Sequence, residues 1–325
     1  MSVLQVNEIT DTGGSTLLGR RNAIINGNFD VWQRGTSQTV SGYGSADRWS
    51  IEVSGSTESV TQQTFALGQT DVPHNPKYYL RDVVTTAGTS GAYSVLVQKI
   101  EGVESFAGET VTFSFYAKAD SAKNVAVEFS QRFGTGGSPS ANVNSIDVTT
   151  VSLTTSWTKY TVTADIPSIS GKTLGTDGTD HLRVLIWLDA GSTYNARTNS
   201  LGNQSGTFEF AQVQLESGSV ATPFERRSVG EELALCQRYY QYHNLGVSFF
   251  LDAYLLTNTY HRTPFNYPVK MRAIPTGSTT LGISTNTSQH DITAIGESAL
   301  QLSIRPITTG RAYGYYEEIF LDAEL

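Results

Sequence analysis

Short runs in which apolar and polar residues alternate dominate the stretch from about Asn22 to Ser228, separated by clusters of Gly, Ser, Asn and Pro. Successive side chains of a strand point to opposite faces, so this period of two predicts many short strands joined by turns, as in a sandwich or barrel. In Val111-Thr-Phe-Ser-Phe-Tyr-Ala117, Val111, Phe113, Phe115 and Ala117 share one face. The run His181 to Leu188 places Leu182, Val184, Ile186 and Leu188 on one face, while Leu185 and Trp187 make the other apolar as well. That pattern predicts a central strand covered on both sides. In Thr207 to Leu215 the apolar set moves from Phe208 and Phe210 to Ala211, Val213 and Leu215, a change of phase that predicts a β-bulge or bend near Phe210.

One helix is predicted. Ser228-Val-Gly-Glu231 is a capping box leading into Glu232 to Tyr242, and Val229, Leu233, Cys236 and Tyr240 fall at spacings of four, three and four. This stripe either covers the chain's own sheet or lines a subunit interface. Beyond it the strand texture returns, with Val247 to Thr257, Pro264 to Ala273, Ala299 to Ile304 and Tyr315 to Leu321 as candidate strands. Pro264, Pro268, Pro275 and Pro306 confine their positions to edges or turns. The fold class expected is all-β: a β-sandwich, a short helix and a smaller C-terminal β domain. The divisions are 1–21, a strand-like peptide, 22–227, 228–243 and 244–325. In the first, Val3, Leu4, Val6 and Ile9 supply the apolar positions of a segment that cannot form a core alone and is suited to docking by strand addition.

Composition narrows the functional classes. Charged residues make up 16% of the 325, against about 25% in an average domain, and the net charge is −8 with no Lys/Arg block. The electrostatic footprint of a nucleic-acid binder is therefore missing. Neither the apolar centre of a signal peptide nor a run long enough to cross a bilayer is present, so synthesis in a cytoplasm without export by a signal peptide is expected. Cys236 is the one cysteine, which excludes an intrachain disulfide. Gly171-Lys-Thr173 imitates the end of a phosphate-binding loop, but Ile166 stands where the first glycine is required. No GxSxG or HExxH occurs, and His74, His181, His243, His261 and His290 are too scattered for a zinc pattern. A glycosidase needs only two facing carboxylates, which the sequence leaves open; the expectation is a protein without enzymatic activity.

Aromatic rings stack on the apolar faces of pyranoses, and Trp32, Tyr43, Tyr78, Tyr79 and Tyr194 are the candidates for such contacts. Trp49, Trp157 and Trp187, inside strand-like runs, read instead as core.

Several motifs, in order, carry a resemblance. These are Asn22-Ala-Ile-Ile-Asn-Gly-Asn-Phe-Asp-Val-Trp-Gln-Arg-Gly-Thr36, Ala46-Asp-Arg-Trp49, Phe113-Ser-Phe-Tyr-Ala-Lys118, Ser156-Trp157 with Tyr160, and Phe208 to Glu216. Together they resemble the family-4/9-type carbohydrate-binding-module jelly roll, in the version found in bacteriophage tail fibre and minor tail structural proteins. Thr222 to Tyr240, Pro268-Val-Lys-Met-Arg-Ala-Ile-Pro275, Asp322-Ala-Glu-Leu325 and the opening Leu4-Gln-Val-Asn-Glu-Ile-Thr-Asp11 are similar to segments of the same phage proteins. The resemblance implies a jelly roll, then a helix, then a distal β domain, assembled as a homotrimer on a virion tail. It further implies anchorage to other tail proteins through the N-terminal peptide and attachment to host cell-surface polysaccharide. No cofactor is expected beyond a structural calcium ion, whose ligands would be Asn28, Asp30 and Glu209. Two other readings stand beside this adhesin: a tail or decoration subunit that contacts only other virion proteins, and a free carbohydrate-binding module.

Overall fold

The computed structural model describes residues 21–257, 259–294 and 296–325. The peptide carrying Val3, Leu4, Val6 and Ile9 lies outside the described residues. The described residues are all-β and divide into two compact units, one running to Arg227 and including Leu325, the other from Ser228 to Glu324.

Eleven strands build the first unit: β1 Ser37–Gln38, β2 Trp49–Ser54, β3 Thr57–Thr64, β4 Tyr78–Thr86, β5 Tyr93–Glu101, β6 Thr110–Ala119, β7 Lys123–Arg132, β8 Val143–Leu153, β9 Thr158–Asp165, β10 His181–Ala190 and β11 Gly206–Ser217. They form two antiparallel sheets, ordered β1-β3-β4-β11-β6-β9 and β2-β5-β10-β7-β8, the layout of a jelly-roll sandwich. The alternation explains the arrangement. Val111, Phe113, Phe115 and Ala117 of β6, Leu182, Val184, Ile186 and Leu188 of β10, and Phe208, Phe210, Val213 and Leu215 of β11 are all buried in one core cluster between the sheets. Each of these side chains except Ala117 contributes about 1.5–3 kcal/mol by leaving water.

Every residue of β10 is buried. Its outward Leu185 and Trp187 join Val95, Val97, Ala126 and Ala190 in a second cluster, covered by Tyr93, Tyr194 and Leu201. Tyr93 comes from β5, and the segment after β10 supplies the other two, Tyr194 ending a 3-10 turn Ser192–Tyr194 and Leu201 following the short helix α1 Asn195–Thr198. On β11 the expected bulge falls at Gln212, where φ is +48° and the pairing with β6 shifts between Ala211 and Gln214.

The segment before β1 is a structural fastening. Asn26 Nδ2 donates to the carbonyls of Val31 (2.8 Å) and Asp47 (3.0 Å), Asn26 Oδ1 accepts from Val31 N–H (3.0 Å), and Trp49 Nε1 donates to the Asn26 carbonyl (3.1 Å). Beside it the Val213 N–H donates to the Gly27 carbonyl (2.8 Å). A Cβ on Gly27 would collide with the Val213 carbonyl, so only glycine allows that approach. At the far end, Glu225 Oε2 accepts from the Asn22 N–H (2.6 Å), and Arg227 donates to the carbonyls of Asn22 and Ile24.

The second unit opens with α2, Val229–Gln237, whose capping box is formed: Glu231 N–H donates to Ser228 Oγ (3.3 Å) and Ser228 N–H to Glu231 Oε2 (3.0 Å). The helix is shorter than the predicted 228–243. Strand pairing begins at Tyr240↔Asp322 and takes over the chain. The remaining strands are β12 Tyr240–Leu255, β13 His261–Asn266, β14 Thr276–Thr285, β15 Thr287–Ala294, β16 Ala299–Pro306 and β17 Gly310–Asp322. They make two three-stranded antiparallel sheets, β12-β17-β14 and β13-β16-β15. Leu251, Met271, Leu300, Leu302, Ile304, Ile319 and Leu321 are buried together with Tyr316, whose hydroxyl donates to the Ser303 carbonyl (2.8 Å) and accepts from the Ser303 N–H (3.2 Å).

The predicted strand Pro264 to Ala273 is corrected: β13 ends at Asn266 and its Pro264 sits on the edge of its sheet. The interface stripe is corrected as well. Tyr240 belongs to β12, Cys236 and Tyr240 are already buried, and Val229 is 61% exposed. With the helix ended at Gln237, the four residues no longer share one helical face.

Candidate functional site: a polar groove on the five-stranded sheet

The outward face of the sheet β2-β5-β10-β7-β8 changes character along its strands. At one end lie the apolar residues of the Trp187 cluster; toward the other, basic residues replace them. Pairing places Arg183 directly opposite Lys99 and His181 directly opposite Arg132, so four basic side chains occupy adjacent positions on three central strands. With Glu52, Thr135, Asn142 and Thr179 they line a groove of about 230 Å³.

Its rim is held by hydrogen bonds between two loops. Asp177 accepts from Thr135 N–H (3.0 Å), Thr135 Oγ1 (2.5 Å) and Thr179 Oγ1 (2.7 Å), which holds its carboxyl well below the usual carboxylate range. Gly134 has φ +80°, and a Cβ there would press on Asp177 Oδ1. Asn142 Oδ1 accepts from the Phe133 N–H at 3.2 Å, tying the strand end beneath.

The charges are unevenly matched. Arg183 Nη2 pairs with Glu52 at 2.5 Å. Lys99 donates to the Leu325 carbonyl, and its Nζ lies 5.7 Å from the Tyr43 ring centre. The Arg132 guanidinium makes no hydrogen bond or ion pair among the described residues; burial, with the like charges of Arg183 and Arg197, lowers its pKa. His181 is pushed down to about 4 by burial, and the cations of Lys99, Arg183 and Arg132 act in the same direction. The ring is therefore neutral at physiological pH. Its Nδ1 lies 2.6 Å from the Thr179 carbonyl, so that nitrogen carries the proton and Nε2 is left as an acceptor.

Next to the groove, Tyr194 is 5.3 Å from Trp187 and 5.1 Å from Tyr93, ring centre to ring centre. Arg197 covers Trp187 at 4.8 Å and makes two 2.9 Å bonds to the fully buried Glu128, which also accepts from Trp187 Nε1 at 2.9 Å.

The five aromatic candidates do not converge. Trp32 Nε1 donates to the Phe29 carbonyl (2.6 Å) and the ring packs on the core. Tyr78 lies under Lys77 at 4.7 Å. Tyr79 belongs to the outward face of the six-stranded sheet, packed with Phe65 and Trp157 at 4.7 and 5.3 Å. Trp157, expected in a core, is half-buried in the turn between β8 and β9, with Lys118 5.3 Å from its ring. Trp49 and Trp187 are buried as expected. Of the five, Tyr43 lies near Lys99 of the basic groove, and Tyr194 belongs to the ring cluster further along the same face.

The calcium set does not assemble. Asn28 Oδ1 is buried without a hydrogen-bond partner, and Asn28 Nδ2 donates to Asp30 (2.9 Å). Glu209, however, is closed off by Arg81 (2.6 Å) and Lys118 (2.9 Å), and Asp30 faces Arg226 and Lys77. Cations already occupy the Glu209 oxygens that a cage of about six to eight ligands would need. Among the described residues, no group of three or more His, Cys, Asp or Glu side chains is placed to hold a metal ion.

No family model and no curated protein matches the chain. Solved structures do. The chain is similar to a family 4 carbohydrate-binding module, at 19% identity over 59% of this chain and 98% of that one, with a TM-score of 0.33. It is also similar to TmCBM61, solved in complex with β-1,4-galactotriose, at 10% identity over 61% and 99%, with a TM-score of 0.32. A third likeness is to the enzymatically active domain of tailspike protein 4 of bacteriophage CBA120, at 14% identity over 61% of this chain and a TM-score of 0.36; the match spans 21% of that chain.

Sequence reasoning missed the groove because its basic residues come from three strands. A signal was present in β10: His181 and Arg183 occupy the phase that Leu185 and Trp187 continue, so the outward face turns from charged to apolar within one strand.

Proposed function

We propose that the chain is a non-enzymatic bacteriophage tail-fibre adhesin whose first unit binds host-surface glycan in the groove on the five-stranded sheet. The observation that carries this reading is a polar, basic groove on the same outward face as the ring cluster of Tyr93, Trp187 and Tyr194, both built on β10, a strand buried throughout its length. Donors, acceptors and rings on a rigid support are what sugar recognition requires. The order of phage-like motifs supports the virion location, with the N-terminal peptide as anchor to other tail proteins and the mature protein a homotrimer.

The test is a glycan array followed by titration calorimetry with the full chain. Binding that Asn142→Ala and Arg183→Ala weaken supports the groove as the site; an array with no bound glycan overturns it. Release of new reducing ends from host polysaccharide would overturn the non-enzymatic reading.

A second reading, a tail or decoration subunit that contacts only other virion proteins, draws on the second unit. There Phe250, Tyr254, Leu256, Ile274 and Ile307 expose between 48% and 77% of their surface, apolar side chains that a contact with another virion protein would cover. Antibody against the first unit separates the two: blocked adsorption favours the adhesin, and unimpaired adsorption the scaffold.

A further inference from the structure

The groove's electrostatics point beyond glycan binding in general to one chemical class. Like charges placed directly opposite in a sheet repel, yet Lys99 and Arg183 are such a pair, and Arg132 stands beside them opposite His181. Arg183 is answered by Glu52 and Lys99 by a main-chain carbonyl. Arg132 is not answered. It is half-buried, its guanidinium makes no hydrogen bond or ion pair among the described residues, the carboxylates that act on it, Glu128 and Glu52, are already paired with Arg197 and Arg183, and three cations line the groove against the single carboxylate of Glu52. Keeping an arginine partly out of water without a counter-ion in direct contact costs free energy that packing alone does not return.

We propose that the groove recognises sugars that carry a carboxylate, of the uronic-acid kind, with the Arg132 fork taking the carboxylate and His181 Nε2 accepting from a neighbouring hydroxyl. The planar guanidinium matches a carboxylate through two parallel hydrogen bonds, a geometry that neither a neutral sugar nor a lysine reproduces. Neutral His181 complements this by offering an acceptor where a fourth cation would offer only donors. At about 230 Å³ the groove is smaller than the usual ligand pocket of about 300–1,000 Å³, so it suits one sugar residue and its substituents rather than a run of several.

This inference rests on the glycan-binding reading of the same groove, and the experiment separates the two. The full chain is titrated with trisaccharides of galacturonate, glucuronate and mannuronate, and with the same sugars after reduction of their carboxyls to alcohols. Expected is at least about tenfold tighter binding of one acidic form than of its reduced counterpart. Arg132→Gln removes that preference, and Arg132→Lys, which keeps the charge but loses the fork, removes most of it. Equal affinity for acidic and reduced forms in the wild type overturns carboxylate recognition and leaves glycan binding standing. Dextran sulfate bound as tightly as the best uronate also overturns it, as simple ion exchange. Failure to bind any array glycan overturns both readings.

Discussion

Glu58 and Asp82 lie diagonally across the β3–β4 pair on the face turned into the sandwich, through the pairings Glu58↔Val84 and Val60↔Asp82. Ser94 Oγ donates to Glu58, while neither carboxylate oxygen of Asp82 has a hydrogen-bond partner. Burial raises the Glu58 pKa from 4.5 to about 7, and burial together with the charge of Glu58 raises that of Asp82 well above 3.8.

A carboxyl whose pKa is higher folded than unfolded adds stability that is fully present below the unfolded value and lost as pH rises through the folded one. Stability is therefore expected to fall between about pH 4.5 and 7. Glu58→Gln recovers about 3 kcal/mol at pH 8 and nothing at pH 4, and Asp82→Asn acts in the same direction. Thermal melting across that range checks it; equal effects at both pH values would refute the assignment.

Asn26→Ala is expected to destabilise the first unit by about 3 kcal/mol or more. It strands the buried Val31 N–H and removes both bonds from Nδ2, each loss being worth about 1–3 kcal/mol. Denaturant unfolding followed by Trp fluorescence measures it, since Trp49 hangs on the same residue.

Arg197→Met leaves Glu128 buried with only neutral donors, Trp187 Nε1 and the Ser145 N–H. A loss of about 3 kcal/mol follows from an uncompensated buried charge. The same substitution uncovers Trp187, so its emission shifts to the red; an unchanged spectrum would contradict the stacking.

With Glu209 bound by Arg81 and Lys118, chelation by EDTA is expected to leave the melting temperature unchanged. A clear drop would mean that oxygens other than Glu209 complete a site around Asn28 and Asp30.

In the second unit, Tyr316→Phe removes the hydroxyl that serves both the N–H and the carbonyl of Ser303. A cost of about 1–3 kcal/mol is expected, read as a lowered unfolding midpoint.

Strands whose apolar positions alternate were legible in the sequence. The two-faced β10, the inward row of β6 and the phase change in β11 all emerge in the sheets, because burial and pleat act on the same period of two. The helix start was legible through its capping box; its end was not, since the pairing of Tyr240 with Asp322 joins residues far apart in the chain. β14 and β15, rich in Thr and Ser with few large apolar residues, were missed because their strand character comes from pairing with β17 and β16. The aromatic candidates share a residue type but not a location, since the fold scatters them over different faces. Arg132, Lys99 and His181 meet only through strand order, which local pattern does not encode.

The bonds from Glu225 and Arg227 back to Asn22 and Ile24 bring the chain's entry into the first unit and its exit side by side. A module closed on itself in this way is cut out or replaced at two neighbouring points, whatever the length of chain between them. Exchange of residues 22–227 for a sandwich of different size would thus leave the flanking joints in register, and the unit is replaceable without rebuilding the rest of the chain.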